Sequence, residues 1–450
     1  MTSVPDEHKV DVYAAEGHFE DHLQPVWNEL PEGRRGIFAT GLDELQDRGD
    51  RRHLCLVASG GNRRHATSVG YPRVVLMQHG AGQSYLGGGG APHLSYAGFP
   101  HHRGLVGILH PGPDPVEKDG RAYPDLADKG RIQAIGMPKL APWRAGDKGR
   151  APDWRREDRP FRVAVSFHWD CRVCPETRTA LGHYERAFAD WKDALEEEGI
   201  ELVGHSHPRI RSRAKFAFEG AGVPFLGDFE QVLQWCDAYA VDNSSTLFEF
   251  AASVPKAADR TARPVIVLNS PHYRRGVEHG LRFWQASGIG PNVNRPEDFV
   301  AAVKGLRRDF GTWCTKAGEV LTGVYAYRDG KAAERAVGYV QEWAEETASG
   351  HSERRHWLRA HKTFANAGYL AHRDGATVES GERFYVWGKD AAKRLAEEGH
   401  AERIDLQALT VDTLRGEARR LGIEGRSSMR KTELIDALQQ SAPTGEVSHA

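Results

Sequence analysis

From residue 161 onward the sequence alternates between short β-branched runs and amphipathic helical stretches. FRVAVSFHW (161–169) leads into a helical pattern, TALGHYERAFADWKDALEEEG, that closes on Gly199 as a helix C-cap. IELVGHSHP (200–208), AYAVD (238–242) and PVIVLNS (264–270) are further apolar runs, with helical GDFEQVLQWCD, SSTLFEFAAS and PEDFVAAVKGLRRDF between or after them. Runs this apolar must be buried on both faces, and strands separated by helices pair in parallel. The second half therefore predicts a doubly wound parallel sheet.

The first half repeats the pattern more loosely. LCLVAS (54–59), VVLMQHG (74–80), GLVGILHPG (104–112) and RIQAIGMPKL (131–140) read as buried strands ending at Gly or Pro. APWRAGDKGRAPDWRREDRP (141–160) has no periodicity and is read as the linker between two lobes. The expected fold class is α/β, with two tandem Rossmann-like domains facing a cleft and a small α-helical C-terminal domain. The expected divisions are an acceptor domain at 1–145, a nucleotide-donor domain at 146–350 and a β-containing segment at 351–404. A helical unit at 405–440 and a disordered tail at 441–450 complete the chain.

Several classes are excluded by composition. Lys+Arg (60) and Asp+Glu (62) nearly cancel, which argues against a surface that grips nucleic acid as a whole. No run approaches the roughly 18 apolar residues of a membrane span. The stretch MTSVPDEHKVDVYAAEGHFEDH lacks the apolar block of a signal peptide. Five cysteines, an odd and small number, fit a reducing compartment, and a cytoplasmic location is expected.

Three segments carry candidate chemistry. Gln78-His79-Gly80 ends a predicted strand, where open α/β sheets bind ligands, and an imidazole is the usual base near neutral pH. A structural histidine at a strand end is the competing reading. The glycines that follow, Gly80 and Gly82 among them, lack the Lys-Ser/Thr of a P-loop and read as an acceptor-side loop. His205-Ser206-His207-Pro208 ends a strand of the second lobe, and an imidazolium there could hold a diphosphate oxygen. No third ligand at a convincing spacing accompanies the pair, so no metal is expected. Asp242-Asn243-Ser244-Ser245-Thr246 runs from strand into helix. Its hydroxyls serve as ordinary caps, and the same helix start could take phosphates. Cys171 and Cys174 form a lone CxxC beside His168, read as structural. Tyr184, Phe188 and Trp191 lie at helical spacing and read as core.

Over roughly residues 50–340 these segments resemble the CDP-glycerol glycerophosphotransferase (teichoic acid polymerase) family, which has the two-Rossmann glycosyltransferase B (GT-B) fold. The resemblance rests on Gln78-His79-Gly80, like the family's Trp-His-Gly, and on Ile135-Gly136-Met137-Pro138-Lys139, like its Gly-x-Pro-Arg. It continues through Ser206-His207-Pro208, the run Cys236–Ser245, and Asp329-Gly330-Lys331-Ala332-Ala333-Glu334-Arg335. It implies His79 as base on an acceptor hydroxyl and His207 as a ligand of the donor diphosphate. It also implies a donor site lined by Asp242, Asn243, Ser244 and Ser245. Asp329, Lys331, Glu334 and Arg335 would tie the region back to the lobes or reach the donor. Asn243 stands where the family has Tyr and the first motif lacks its Trp, so a nucleotide sugar is an alternative to CDP-glycerol as donor.

The unit Leu409–Gln440 resembles the N-terminal helical domain of transcription terminator Rho and SAP-type modules, with Arg426, Arg430 and Lys431 on one edge. The composition, rich in Arg, Ala and Gly, suits a high-GC actinobacterial host or its phage. The expected function is transfer of a sugar or polyol-phosphate group from a nucleotide-diphosphate donor to a hydroxyl on a polymer, protein or DNA. The donor is a substrate, and no further cofactor is expected. The alternative is a nucleic-acid-binding protein acting through 405–440, its two-lobe scaffold catalytically degenerate. That unit contacts either nucleic acid or protein.

Overall fold

Because the apolar runs carry side chains that must be covered on both faces, they form the centres of two parallel sheets. The computed structural model describes residues 4–49, 51–81, 104–141, 159–171, 177–242, 244–254, 262–272 and 287–348. Beyond these it describes 366–371, 384–386, 401–403, 411, 414–415, 418, 423–426 and 428–440. The chain divides into two units, 1–348 and 349–450.

In the first unit, β1 (Val10–Tyr13), β2 (Arg35–Ala39), β3 (Leu54–Val57), β4 (Val74–Met77), β5 (Leu105–His110) and β6 (Ile132–Ala134) build one sheet. They pair in parallel in the order β2-β1-β3-β4-β5-β6. Helices α1 (Gly17–Glu29), α2 (Leu42–Asp47), α3 (Gly60–Ser68), α4 (Pro113–Ala122) and α5 (Pro124–Asp128) connect these strands. The second sheet contains β7 (Phe161–Phe167), β8 (Ile200–Ser206), β9 (Ala238–Val241), β10 (Val265–Leu268) and β11 (Asn292–Val293). Its order is β11-β10-β9-β7-β8, again parallel throughout. Its helices are α6 (Leu181–Tyr184), α7 (Phe188–Glu196), α8 (Arg211–Gly220), α9 (Phe229–Trp235), α10 (Thr246–Ala252), α11 (Phe299–Arg308) and α12 (Phe310–Val324).

Within each lobe the first strand lies between the second and the third. The direction of winding therefore reverses beside β1 in one lobe and beside β7 in the other. In such sheets the crevice at that reversal, at the strands' carboxyl ends, is where ligands bind.

Two expectations are corrected. The sequence puts helix α13 (Ala332–Glu346) within the donor domain expected at 146–350, but it crosses back and packs on the first sheet beside α1. Its face of Ala336, Val340 and Trp343 is buried against Val75, Val106 and Leu109, and Arg73 donates to Ala344 O at 2.8 Å. Gly107 leaves room for the indole, since a Cβ there would lie 2.1 Å from Trp343. The single helix expected over 179–199 is broken by a 3₁₀ turn at Glu185–Ala187. The break lets the Tyr184 hydroxyl reach Val293 O (2.8 Å) and Asn269 O (2.9 Å), while Trp191 Nε1 donates to Pro296 O. Tyr184, Phe188 and Trp191 are core, as read.

The second unit contains an antiparallel sheet of β12 (Asn366–Ala371), β13 (Phe384–Val386) and β14 (Ala401–Arg403), with β12 central. It also contains α14 (Lys431–Gln440), where Leu434, Ile435 and Leu438 bury against Leu414 and Ala418. Glu433 accepts from the Arg430 N–H at 2.6 Å, half of a capping box at the helix start. Residues 142–158, which hold most of the expected inter-lobe linker, and the tail 441–450 lie outside the described residues. Among the described residues no helix is long and apolar enough to cross a membrane.

Candidate functional site

Imidazoles from both lobes meet at the carboxyl ends of the two sheets. His79 follows β4, and its Nδ1 lies 2.7 Å from Ala58 O. A carbonyl only accepts, so Nδ1 carries the proton and the lone pair of the neutral ring sits on Nε2. Burial lowers the pKa of His79, against the Ala58 bond and Glu249, which raise it. His207 follows β8 and is wired the other way. Its Nδ1 accepts from the Arg209 N–H at 3.2 Å, which leaves the proton on Nε2. Burial, helped by His168, His18 and Arg209, pushes His207 down to about 2. The imidazolium expected at His207 is thus corrected to a neutral ring with one N–H to donate.

His18 stands between them, its ring centroid 6.1 Å from that of His79 and 5.8 Å from that of His207. It follows β1 by a few residues and opens α1, at the point where the first sheet reverses. His168, one residue beyond β7, holds the equivalent place in the second sheet, 5.0 Å from His207. Its Nδ1 lies 3.1 Å from Trp169 O, so its Nε2 also bears a lone pair. Burial is the first cause that holds both His18 and His168 at about 4. His22, 6.0 Å from His79, is 3% exposed, and its Nδ1 has no hydrogen-bond partner among the described residues. None of His18, His22 and His168 was expected as a site residue. The signal was the strand-then-helix pattern VDVYAAEGHFEDHL, legible as a first βα unit with a histidine at its turn.

Polar contacts join the lobes around this cluster. Arg209 pairs with Glu16 at 2.6 Å, and its guanidinium lies 4.6 Å over Trp169. Lys139 meets buried Glu249 at 3.0 Å and Asp21 at 3.8 Å. Burial alone would lower the Lys139 ammonium, but the two carboxylates more than offset it and its pKa is raised. Gly80 abuts Ser245, whose Oγ would lie 3.1 Å from a Cβ at that position.

The remaining expected residues fall in different places. Asp242 is fully buried, and its carboxylate accepts from the His168 N–H (2.7 Å) and the Ala180 N–H (2.9 Å). It lies behind the site and positions His168. Its expected place in the donor-site lining is corrected accordingly. Ser244 accepts from Thr246 at the start of α10, and Ser245 Oγ faces Glu249. Arg335 chelates Asp329 and lies 3.8 Å over Tyr327, while Lys331 faces Glu334 at 3.8 Å. These contacts fasten the turn into α13, and none of them reaches the histidines. His205 is buried in the sheet against Ser166, at 2.9 Å. Asn243, Gly82 and Cys174 lie outside the described residues. Among the described residues no three of His, Cys, Asp and Glu converge to hold a metal ion.

Two facing lobes of parallel α/β structure, with the last helix returned to the first lobe, define the GT-B fold. Solved structures with this fold include the wall teichoic acid polymerase TagF. A histidine-to-asparagine variant of TagF superposes with a TM-score of 0.55 at 13% identity, covering 76% of this chain and 90% of that one. A histidine-to-alanine variant gives 0.54 at 13% identity, covering 77% and 92%. At such identity the likeness is one of fold. Residues 405–443 match the family model "Rho termination factor, N-terminal domain". No curated protein matches the chain by sequence.

Proposed function

We propose that the chain is a transferase that moves a sugar or polyol-phosphate group from a nucleotide-diphosphate donor to an acceptor hydroxyl. The observation that carries this is the pairing of His79 and His207. Each lobe offers one imidazole to the same crevice, with His18 between them, and the two rings have opposite tautomers. Nε2 of His79 takes the proton of the acceptor hydroxyl as its oxygen attacks the transferred carbon or phosphorus. The bond to the leaving nucleotide breaks with its electron pair on the nucleotide oxygen, which accepts the Nε2–H of His207. Ser244 and Ser245, at the start of α10 opposite Gly80, supply hydroxyls beside the donor. The fold shared with TagF, a polymerase of wall teichoic acid, supports this class of chemistry. The test is a thermal-shift and native mass-spectrometry panel of CDP-, UDP- and GDP-linked sugars and polyols. One donor class is expected to bind and raise the melting temperature. Silence across the whole panel would sink the proposal.

A second activity is favoured by the Rho-type match at 405–443, namely contact with nucleic acid through that unit. It predicts affinity for DNA or RNA that falls steeply with salt and disappears on deletion of the residues after 404. Affinity unchanged by that deletion would assign binding elsewhere.

A further inference from the structure

His18 and His168 occupy matching places that the chemistry of His79 and His207 does not use. Each lies at the reversal point of its own sheet, one after β1 and one after β7, and each is within 6 Å of His207 by ring centroid. We propose that His18, His168 and His207 together form a cradle for a phosphate group, and that the cradle takes up protons as the oxyanion enters. The proposal rests on the transferase reading above, because it supposes that the phosphates are those of a nucleotide-diphosphate donor.

Hydrogen-bond geometry requires the proton uptake. A fully ionised phosphate oxygen offers only lone pairs. His207 can donate its Nε2–H as it stands, since Nδ1 is occupied by the Arg209 N–H. His168 cannot, because its one N–H faces Trp169 O and leaves Nε2 with a lone pair. For His168 to touch the oxyanion, that lone pair must be protonated. At His18, Glu16 Oε2 lies 3.7 Å from Nδ1 and opposes the burial that lowers the ring. Burial and mutual repulsion keep these rings neutral. An entering anion reverses that balance, since an adjacent negative charge favours imidazolium.

The charged and titratable groups around the cradle come from every element packed on it. Glu16, Asp21 and His22 flank or lie on α1, Lys139 follows β6, and His79 follows β4. Arg209 follows β8, Asp242 follows β9, and Glu249 lies on α10. Among the described residues Glu16 engages Arg209 and Glu249 engages Lys139, so each of these two cations is paired with a carboxylate. Protonation of the imidazoles adds positive charge beyond these paired cations.

The test is titration calorimetry of the full chain with UDP, CDP and inorganic pyrophosphate, at one pH in PIPES and in Tris. These buffers differ in ionisation enthalpy, so the difference in observed heat counts protons taken up. His168→Gln and His18→Gln, alone and together, are compared with the native chain. Glutamine can still donate an N–H to phosphate but cannot bind a proton. The ligand's own terminal phosphate contributes equally to every variant, so differences between variants report the imidazoles. About one proton is expected to be taken up by the native chain, and affinity is expected to rise by up to about tenfold per pH unit from pH 8 to pH 6. The double variant should bind with much of that uptake and pH dependence gone. Nucleotide binding in the native chain without proton uptake overturns the cradle and leaves the transferase standing, as does full uptake in a folded double variant. Pyrophosphate binding with uptake, but no nucleotide binding, keeps the cradle and removes the donor. If neither ligand binds, both fall. Melting curves establish folding of each variant. Should a variant fail to fold, the native chain's buffer dependence still decides.

Discussion

His79 and His207 are the same side chain at the carboxyl ends of strands in the two lobes, yet their backbone partners give them opposite roles. The Ala58 carbonyl fixes a basic Nε2 on one, and the Arg209 amide fixes a donating Nε2 on the other. The expected consequence is a split between chemistry and binding. His79→Ala should lower kcat by at least about 100-fold, the usual range of a general base, while leaving donor affinity within about threefold. Turnover measured beside equilibrium binding of the donor checks this, and equal losses in both would demote His79 to a positioning residue. Asp242 belongs to a different class. It touches two backbone N–H groups and stays buried, so Asp242→Ala orphans both donors. At roughly 1–3 kcal/mol for each, a loss of about 2–6 kcal/mol of stability is expected in denaturant unfolding, together with disorder at His168.

At the scale of elements, α13 fastens the two lobes, because it follows the second in sequence and packs on the first. Its Trp343 fills the space that Gly107 leaves open on β5. Trp343→Ala should cost about 3–5 kcal/mol. Gly107→Ala should also destabilise, because its new Cβ would meet the indole. The double variant should then lose less than the sum, since the truncated side chain no longer clashes. Denaturant melts of the three variants measure the coupling, and simple additivity would mean that the two positions do not touch. Much of this architecture was legible in the sequence. FRVAVSFHW, IELVGHSHP, AYAVD and PVIVLNS all form strands, because continuous apolar runs have few other fates. The return of α13 was not legible, since an amphipathic helix states that it has a buried face but not which sheet covers it. The first βα unit was missed for another reason. β1, VDVY, is interrupted by the buried Asp11 and α1 contains Pro25, so neither shows a clean apolar pattern. His18 and His22 belong to that unit, whereas His79 follows the uninterrupted run VVLM and His207 follows the seven-residue β8.

Across the whole first unit, several histidines are held neutral in and beside one crevice, and this makes its stability depend on pH with a definite sign. His18 and His168 are lowered to about 4, His205 to about 3 and His207 to about 2, burial being the first cause in each case. In the unfolded chain each returns to about 6.5. Between that value and the lowered ones the unfolded state binds more protons, so stability falls as pH drops below about 6.5 and is flat in these groups above it. Each such histidine can add up to about 1.4 kcal/mol per pH unit to the slope while it remains neutral in the folded state. Melting temperature should therefore decline from pH 7 to pH 5, before most carboxylates titrate. His205→Gln, which removes a ring that faces Ser166 rather than the cradle, should flatten that decline without altering proton uptake on nucleotide binding. His168→Gln should flatten both. Melts across that range, run beside the calorimetry, separate histidines that only destabilise the folded chain in acid from those that answer to a ligand. A melting temperature independent of pH between 7 and 5 would show that the rings are not buried neutral together.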